Sequence, residues 1–118
     1  MSHTSASSLF RCLPVATLTL VLVLSLAAVA QAHRVKIFAY SDFETIFTES
    51  NFSKSSPAMG AEITAMDAQG KVVFTGKTDD QGKCDFAIPK DAQGDLTITV
   101  NAGEGHEGSW VLTEAEYR

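Results

Sequence analysis

His33 is preceded by Ala30, Gln31 and Ala32, at the point where an apolar leader gives way to a polar segment. Small residues two positions apart are typical of the cleavage site of a secretory signal peptide. Cleavage after Ala32 would make His33 the first residue, with a free α-amine beside its imidazole ring. Those two nitrogens can chelate one metal ion, whereas an internal histidine offers its ring alone.

The leader has the composition of a signal peptide. Arg11 is its one charged side chain, and residues 15–30 form an apolar or hydroxyl-bearing run that ends in the alanines. A membrane span needs about 20 apolar residues. We therefore predict a signal peptide over residues 1–32, a single domain over residues 33–118, and a periplasmic or cell-surface location. The alternative is an uncleaved signal anchor that tethers the domain to the membrane.

The charge of the predicted mature chain excludes one class of partner. Loss of Arg11 with the leader leaves eight basic and 14 acidic residues, a net charge of −6. Nucleic acid is not expected to bind such a domain. Cys84 is the one cysteine that remains, so no disulfide is predicted within the mature chain.

From His33 onward the apolar residues recur with a period of two, which indicates β-strands. Ile46, Thr48, Ser50 and Phe52 alternate along one such run. The predicted strands number seven: 34–40, 44–52, 61–67, 72–76, a strand through Cys84, Phe86 and Ile88, a strand through Leu96, Ile98 and Val100, and 110–113.

Short strands separated by regular turn signals predict an all-β fold, a seven-stranded antiparallel sandwich of the immunoglobulin-like or transthyretin-like kind. The third and fourth strands are predicted to form a hairpin. Phe52, Phe74, Phe86 and Trp110 are predicted to lie in the core. Cys84 alternates with Phe86 and is interpreted as a small buried hydrophobic residue.

The direction of the strands predicts which loops meet. If each strand reverses the one before it, the chain at His33 lies at the end of the sandwich where the second, fourth and sixth strands finish. Three loops would share that end: 53–60 with Met59, 78–83 with Asp79 and Asp80, and 101–108 with Glu104, His106 and Glu107. His33 and His106, the two histidines of the predicted mature chain, are thereby brought together.

An amine and two imidazoles supply three nitrogen donors, which suit a square-planar or tetragonal transition-metal site. We predict a metal site with His33 and His106 as ligands, and with Glu104 and Met59 as additional candidates. Asp79 and Asp80 are expected to shape a turn rather than to bind a cation. The alternative interpretation is that His106 is a solvated loop residue and His33 a frayed terminus.

Four motifs resemble a bacterial family. They are Ala-His-Arg-Val-x-x-Phe-Ala-Tyr at 32–40, Asp-x-x-Thr-Ile-x-Thr-Glu-Ser-x-Phe-Ser at 42–53, Gly-Lys-Thr-Asp-x-x-Gly-Lys at 76–83 and Asn-Ala-Gly-x-Gly-His at 101–106. Together they resemble the small exported accessory component of nickel and cobalt uptake transporters of the energy-coupling-factor type. The third motif also recurs in sandwiches similar to carboxypeptidase regulatory domains. The histidine at the predicted N-terminus and the later Gly-His pair are the features that distinguish the transporter family from those other sandwiches.

The resemblance implies a domain that binds Ni²⁺ or Co²⁺ and assists a membrane-embedded transporter. His33 and His106 match the family's pattern. Two positions depart from that pattern: Glu104 stands where a methionine is expected, and Cys84 stands where an aromatic residue is usual.

Other function classes stay open beside this one. A periplasmic copper-binding protein can use the same chelate, and Cu²⁺ stands above Ni²⁺ in the usual stability order. A histidine-brace oxidative enzyme is a further alternative, and a purely structural or adhesive sandwich another. We predict no enzymatic activity, because no nucleophile, acid pair or triad is recognisable in the sequence.

Overall fold

The computed structural model describes residues 34–53 and 55–118, so the predicted signal peptide and His33 lie outside the described residues. The described residues form eight strands and one short helix. The elements are β1 (Lys36–Ser41), β2 (Thr45–Ser53), β3 (Ser56–Pro57), β4 (Glu62–Met66), β5 (Val72–Lys77), β6 (Lys83–Ala87), β7 (Leu96–Asn101), β8 (Glu107–Leu112) and α1 (Glu114–Tyr117).

One sheet is built around β2, which pairs antiparallel with β1, β3 and β6. The inner face of β2 carries the predicted alternation, because Ile46, Thr48 and Ser50 are buried. The buried Thr48 hydroxyl donates a hydrogen bond to the carbonyl oxygen of Cys84 on β6, at 2.7 Å. The Thr48 hydroxyl is thus satisfied inside the core, whereas the buried Ser50 hydroxyl makes no hydrogen bond within the described residues.

The second sheet has the order β5-β4-β7-β8, with every neighbouring pair antiparallel. Ile63 and Ala65 on β4 face the core, as predicted. Leu96, Ile98 and Val100 on β7 do the same. The predicted hairpin is the pair β4 and β5. The all-β, two-sheet antiparallel architecture predicted from the sequence is confirmed.

The C-terminal residues form a short helix that was not among the predicted elements. Thr113 begins a short helix by donating its backbone N–H to the Glu116 carboxylate, at 2.7 Å, an arrangement typical of a capping box. Tyr117 is fully buried and donates its hydroxyl to the carbonyl oxygen of Gly94. The tail therefore closes one end of the core. β3, which lies in the loop predicted over 53–60, is likewise an addition to the predicted strands.

The two sheets meet along two edges. We call the side formed by β5 and β6 the closed edge, since the rings of Phe74 and Phe86 stack there. We call the side formed by β1 and β8 the open edge. Trp110 of β8 lies there with 37% of its surface exposed, so its predicted place in the core is wrong.

The register explains the exposure of Trp110. It lies opposite Ile98 of β7 and so leaves the sheet on the inner face, but β8 is an edge strand with no neighbour beyond it. Buried Ile37 and Ala39 of β1 already fill the adjoining core. The indole instead packs edge-on against the ring of Phe38, with centroids 5.0 Å apart.

Within residues 34–53 and 55–118 no helix is both long and apolar enough to span a membrane.

Candidate metal-binding pole

Three loops gather where β2, β5 and β7 end: 53–60, 78–83 and 101–108. We call this end of the sandwich the His106 pole. Hydrogen bonds join the first two of these loops, and a ring contact joins the third to the end of β2. These contacts determine which candidate ligands are near one another.

The first two loops are joined through Thr78. The buried Thr78 hydroxyl accepts a hydrogen bond from the backbone N–H of Ala61 at 2.8 Å and donates one to the carbonyl oxygen of Ala58. Gly60 donates its N–H to the carbonyl oxygen of Thr78, at 3.1 Å. Because one buried side chain and one backbone carbonyl serve both loops, loops 53–60 and 78–83 form one connected support.

Asp79 shapes the second loop. Its Oδ1 accepts hydrogen bonds from the backbone N–H groups of Lys83 at 2.9 Å and Gln81 at 2.8 Å. These two donors hold the pKa of the Asp79 carboxyl below its ordinary value of 3.8, because they favour the charged form. The oxygen is occupied by the turn, in keeping with the structural role predicted for this residue.

The third loop is tightly coiled. Gly103, Glu104 and Gly105 all have positive φ, of 84°, 53° and 79°, a conformation that glycine adopts without steric cost. The backbone N–H of His106 donates to the carbonyl oxygen of Gly103, and the His106 carbonyl accepts from Ala102, both at 2.9 Å. The backbone of His106 is therefore fixed on both sides.

The His106 ring packs against the end of β2. Its centroid lies 6.1 Å from that of Phe52, with the two planes at 90°. Phe52 was predicted as a core residue. It is half-buried against the core, and its ring also orients the candidate ligand. A depression of about 250 Å³, lined by Lys36, Asn51, Phe52 and Ser53, adjoins the Phe52 ring.

The start of β1 reaches the same pole. A Cβ added at Gly108 would lie 2.7 Å from the carbonyl oxygen of Val35, so the backbone just before β1 touches that of β8. Phe38 and Trp110 make the next contact along the two strands. β1 and β8 thus run side by side in the same direction, away from the His106 pole.

The additional candidate ligands are more exposed than His106. Met59 has 64% of its surface exposed, and Glu104 is exposed at the tip of its loop. Glu107 is also exposed, and its carboxylate accepts a hydrogen bond from the Asn101 side chain at 3.2 Å. Within the described part of the chain, no three His, Cys, Asp or Glu side chains are grouped so that they could hold a metal ion. The predicted contribution of His33 lies outside the described residues.

Cys84 is not a candidate ligand of this pole. It is buried on the inner face of β6. Burial raises the pKa of its thiol above the ordinary 9.0, and the charges of Asp85 and Asp79 raise it further. Since the thiolate is the form that binds metals, this environment suits the role of a buried hydrophobic residue predicted for it.

Comparison with known proteins gives one informative match. The chain is 33% identical over 90 residues to an uncharacterised protein of Haemophilus influenzae, and the aligned region covers 74% of this chain and 56% of that protein. The chain thus spans just over half the length of that relative. No protein-family model matches the sequence. No solved structure matches it either.

Proposed function

We propose that this protein is an exported accessory protein that binds Ni²⁺ or Co²⁺ through His33, as its first residue after cleavage, and through His106, and that it assists metal uptake by a membrane transporter. The observation that supports the site is the position of His106, on a fixed backbone at the pole from which β1 and β8 both start. The resemblance of four sequence motifs to the accessory components of nickel and cobalt transporters supports the transport role. We also propose that the sandwich is of the transthyretin-like or carboxypeptidase-regulatory-like kind.

Chain length makes the proposed pair of histidines feasible. His33 precedes Val35 by two residues, and His106 precedes Gly108 by two residues. Val35 and Gly108 are in backbone contact. Two residues span at most about 7 Å, so each histidine is joined by a short segment of chain to one member of this touching pair. Chain length therefore permits the proposed pair of histidines.

The proposed donor set has a definite chemistry. The α-amine and imidazole of His33 close a chelate ring on one metal ion, and the His106 imidazole adds a third nitrogen. Nitrogen donors in such an arrangement favour divalent nickel, cobalt or copper over calcium or magnesium. Glu104 and Met59 are proposed as further ligands from the neighbouring loops.

The same donors make binding depend on pH. Imidazoles titrate at about 6.5 and α-amines at about 7.7–8.0 in short peptides, and both bind metal only after losing a proton. Affinity for Ni²⁺ is therefore expected to fall as the pH decreases from about 8 to about 5. A flat affinity over that range would show that carboxylates dominate the site.

The proposal is tested first at the amine. Mass spectrometry of the exported protein establishes whether residues 1–32 are removed. Calorimetry with Ni²⁺, Co²⁺ and Cu²⁺ then compares the protein that begins at His33 with one extended by a single alanine, which has no α-amine on His33. Loss of a residue that merely hydrogen-bonds to a metal ligand typically weakens metal binding by roughly 10–100-fold. The extended protein loses a direct ligand, so its affinity should fall by more than that. Equal affinities of the two proteins would overturn the role of the amine. A marked preference for Cu²⁺, in a protein whose loss does not change cellular uptake of Ni²⁺ or Co²⁺, would favour a copper-handling function.

The second test uses a matched pair of variants at His106. His106→Phe keeps an aromatic ring against Phe52 but has no nitrogen donor, whereas His106→Ala loses both the ring and the donor. Both are expected to weaken Ni²⁺ binding equally, and His106→Ala is expected to be less stable than His106→Phe by about 0.5–1.5 kcal/mol, because it alone loses the ring contact with Phe52. If His106→Phe binds Ni²⁺ as tightly as the parent protein, His106 is structural and the two-histidine site is wrong. Uptake by cells that carry the transporter should fall with both variants.

A further inference from the structure

A groove of about 450 Å³ lies on the open edge, where β1, β8, α1 and the turn between β1 and β2 meet. Its walls include Phe38, Tyr40, Phe43, Trp110, Leu112 and Glu116. The groove lies towards the end of the sandwich opposite the His106 pole, because β1 and β8 run away from that pole. It is therefore a second surface, separate from the proposed metal site.

The aromatic rings of this edge form a continuous exposed band. Phe38 contacts Trp110 with centroids 5.0 Å apart and Tyr40 with centroids 5.7 Å apart, and Tyr40 stacks on Phe47 at 5.0 Å. Phe38 and Tyr40 each have about half of their surface exposed. Neighbouring exposed aromatic residues are typical of interaction sites, whereas apolar residues scattered singly over a surface are ordinary.

Phe43 is held in the groove at a conformational cost. It is 61% exposed, and its backbone has φ of 69°, a left-handed conformation that is an outlier for a bulky residue. The Ser41 hydroxyl accepts a hydrogen bond from the Phe43 N–H at 2.8 Å and helps to fix this turn. Glycine or asparagine would meet the backbone requirement at less cost. The phenyl ring is thus presented to solvent by a strained turn that does not need it.

Carboxylates border the aromatic rings. Asp42 and Glu44 flank Phe43 and are exposed, and Glu116 lines the groove. The backbone N–H groups of Thr45 and Glu44 lower the pKa of Asp42 below 3.8, which keeps it ionised. Arg118, the basic residue after α1, is engaged by Glu114 at 3.6 Å and by the carbonyl oxygen of Ala92. The rim of the groove therefore carries an excess of negative charge.

We propose that this groove is a docking site for a segment of a partner protein that presents arginine or lysine between apolar side chains. Apolar side chains of the segment would cover the rings, and its cations would meet the carboxylates and the faces of the rings. A second copy of this chain fits less well, because the same carboxylates would face one another. A bilayer surface fits less well too, because membrane surfaces that attract proteins by charge are anionic.

This inference does not rest on metal binding. The groove variants described below leave His33 and His106 unchanged, and His106→Phe leaves the groove unchanged. Calorimetry with Ni²⁺ on the groove variants separates the two proposals. A groove variant that no longer binds the partner segment but still binds Ni²⁺ has lost the docking site alone.

Trp110 is the sole tryptophan of the sequence and reports on the groove by its fluorescence. The protein as isolated from expressing cells is titrated with a short, tryptophan-free peptide in which arginine alternates with leucine. Two control peptides replace every arginine by glutamate or every leucine by serine. We expect the arginine-leucine peptide to change the Trp110 emission and to bind at least about tenfold more tightly than either control, with affinity that falls as salt is added.

Two variants test the groove without disturbing the fold. Glu116→Gln retains a side chain that can accept the Thr113 N–H but loses the charge, and it should weaken peptide binding by about threefold to tenfold. Phe43→Gly relieves the left-handed backbone and removes the ring. It should weaken peptide binding while leaving thermal stability unchanged or raised.

Three outcomes would overturn the proposal. The first is equal binding of the arginine and glutamate peptides, or no change of Trp110 emission with either. The second is sedimentation of a dimer whose dissociation changes the emission, which would assign the groove to a second copy. The third is an emission change with phosphatidylcholine vesicles but not with the peptide, which would assign it to a membrane.

Discussion

At the closed edge the rings of Phe74 and Phe86 stack with centroids 4.0 Å apart and planes 6° apart, whereas at the open edge Phe38 and Trp110 meet edge-on and stay exposed. Phe74, Phe86 and Trp110 all leave their strands on the inner face. The difference lies in what the opposite sheet provides. Phe74 and Phe86 face each other from strands of the two sheets, and so they complete the core.

The closed edge also depends on a residue without a side chain. A Cβ added at Gly76 would lie 2.6 Å from the Phe74 ring and 3.3 Å from the Cys84 sulfur. The absence of that atom lets the ring lie flat over β5. At the open edge the glycine of β8, Gly108, makes room for the backbone of Val35 rather than for a ring, and Trp110 packs outward against Phe38. Aromatic residues thus stabilise the fold at one edge and form a surface for recognition at the other.

The comparison is tested most strongly by truncating one ring at each edge. Phe86→Ala should lower the free energy of unfolding by about 3–5 kcal/mol, since Phe86 is buried and its loss leaves a cavity. Phe38→Ala should cost no more than about 1 kcal/mol, because half of that ring already contacts water. Urea unfolding of the two variants measures both values. Similar losses would mean that the open edge belongs to the core after all.

A smaller effect is expected from adding one methyl group to the closed edge. Gly76→Ala should destabilise the protein by about 1–3 kcal/mol, because the new Cβ displaces the Phe74 ring from its stack. The double variant Gly76→Ala with Phe74→Leu removes the clash, and it should be less destabilised than the sum of its two single variants. Additive losses in thermal unfolding would show that the ring moves aside without cost.

The smallest effect concerns the turns that begin beside each edge, where Asp42 and Asp79 accept backbone hydrogen bonds. The folded protein holds the pKa of both carboxyls below their ordinary 3.8. At a pH between the folded-state pKa and 3.8, the unfolded chain therefore binds more protons than the folded protein does. Their contribution is present above about pH 4 and is lost as the pH falls through and below 3.8. Asp42→Asn and Asp79→Asn should each lower the melting temperature slightly at pH 7, and the difference should shrink as the pH falls below 3.8. A difference that persists in acid would show that the charge is not the cause.

Period-two alternation made most of the strands predictable. Ile46, Thr48 and Ser50, like Leu96, Ile98 and Val100, alternate with exposed neighbours, and in an antiparallel sheet this spacing places them on one buried face. The turn role of Asp79 was predictable because aspartate accepts backbone hydrogen bonds locally. The meeting of loops 53–60, 78–83 and 101–108 followed from counting strand reversals, which does not depend on side-chain detail.

The position of His106 against Phe52 was not predictable, since a contact between a loop and the end of a distant strand carries no local signal. The same holds for Tyr117. One aromatic residue among charged neighbours shows no periodicity, yet the capped turn of α1 folds it back onto Gly94. β3 is two residues long, too short for any alternation to be detected.

The sequence by itself determined which residues alternate and where the chain turns, because these properties depend on neighbours a few residues apart, and the number of reversals then predicted which loops share a pole. Tertiary structure alone decided which edge is closed and which stays open, and hence that Trp110 faces water while Tyr117 is buried. The physical reason is that burial at an edge strand depends on what the opposite sheet places against it. Trp110 meets an edge already filled by Ile37 and Ala39, whereas Phe86 meets Phe74 across the gap between the sheets.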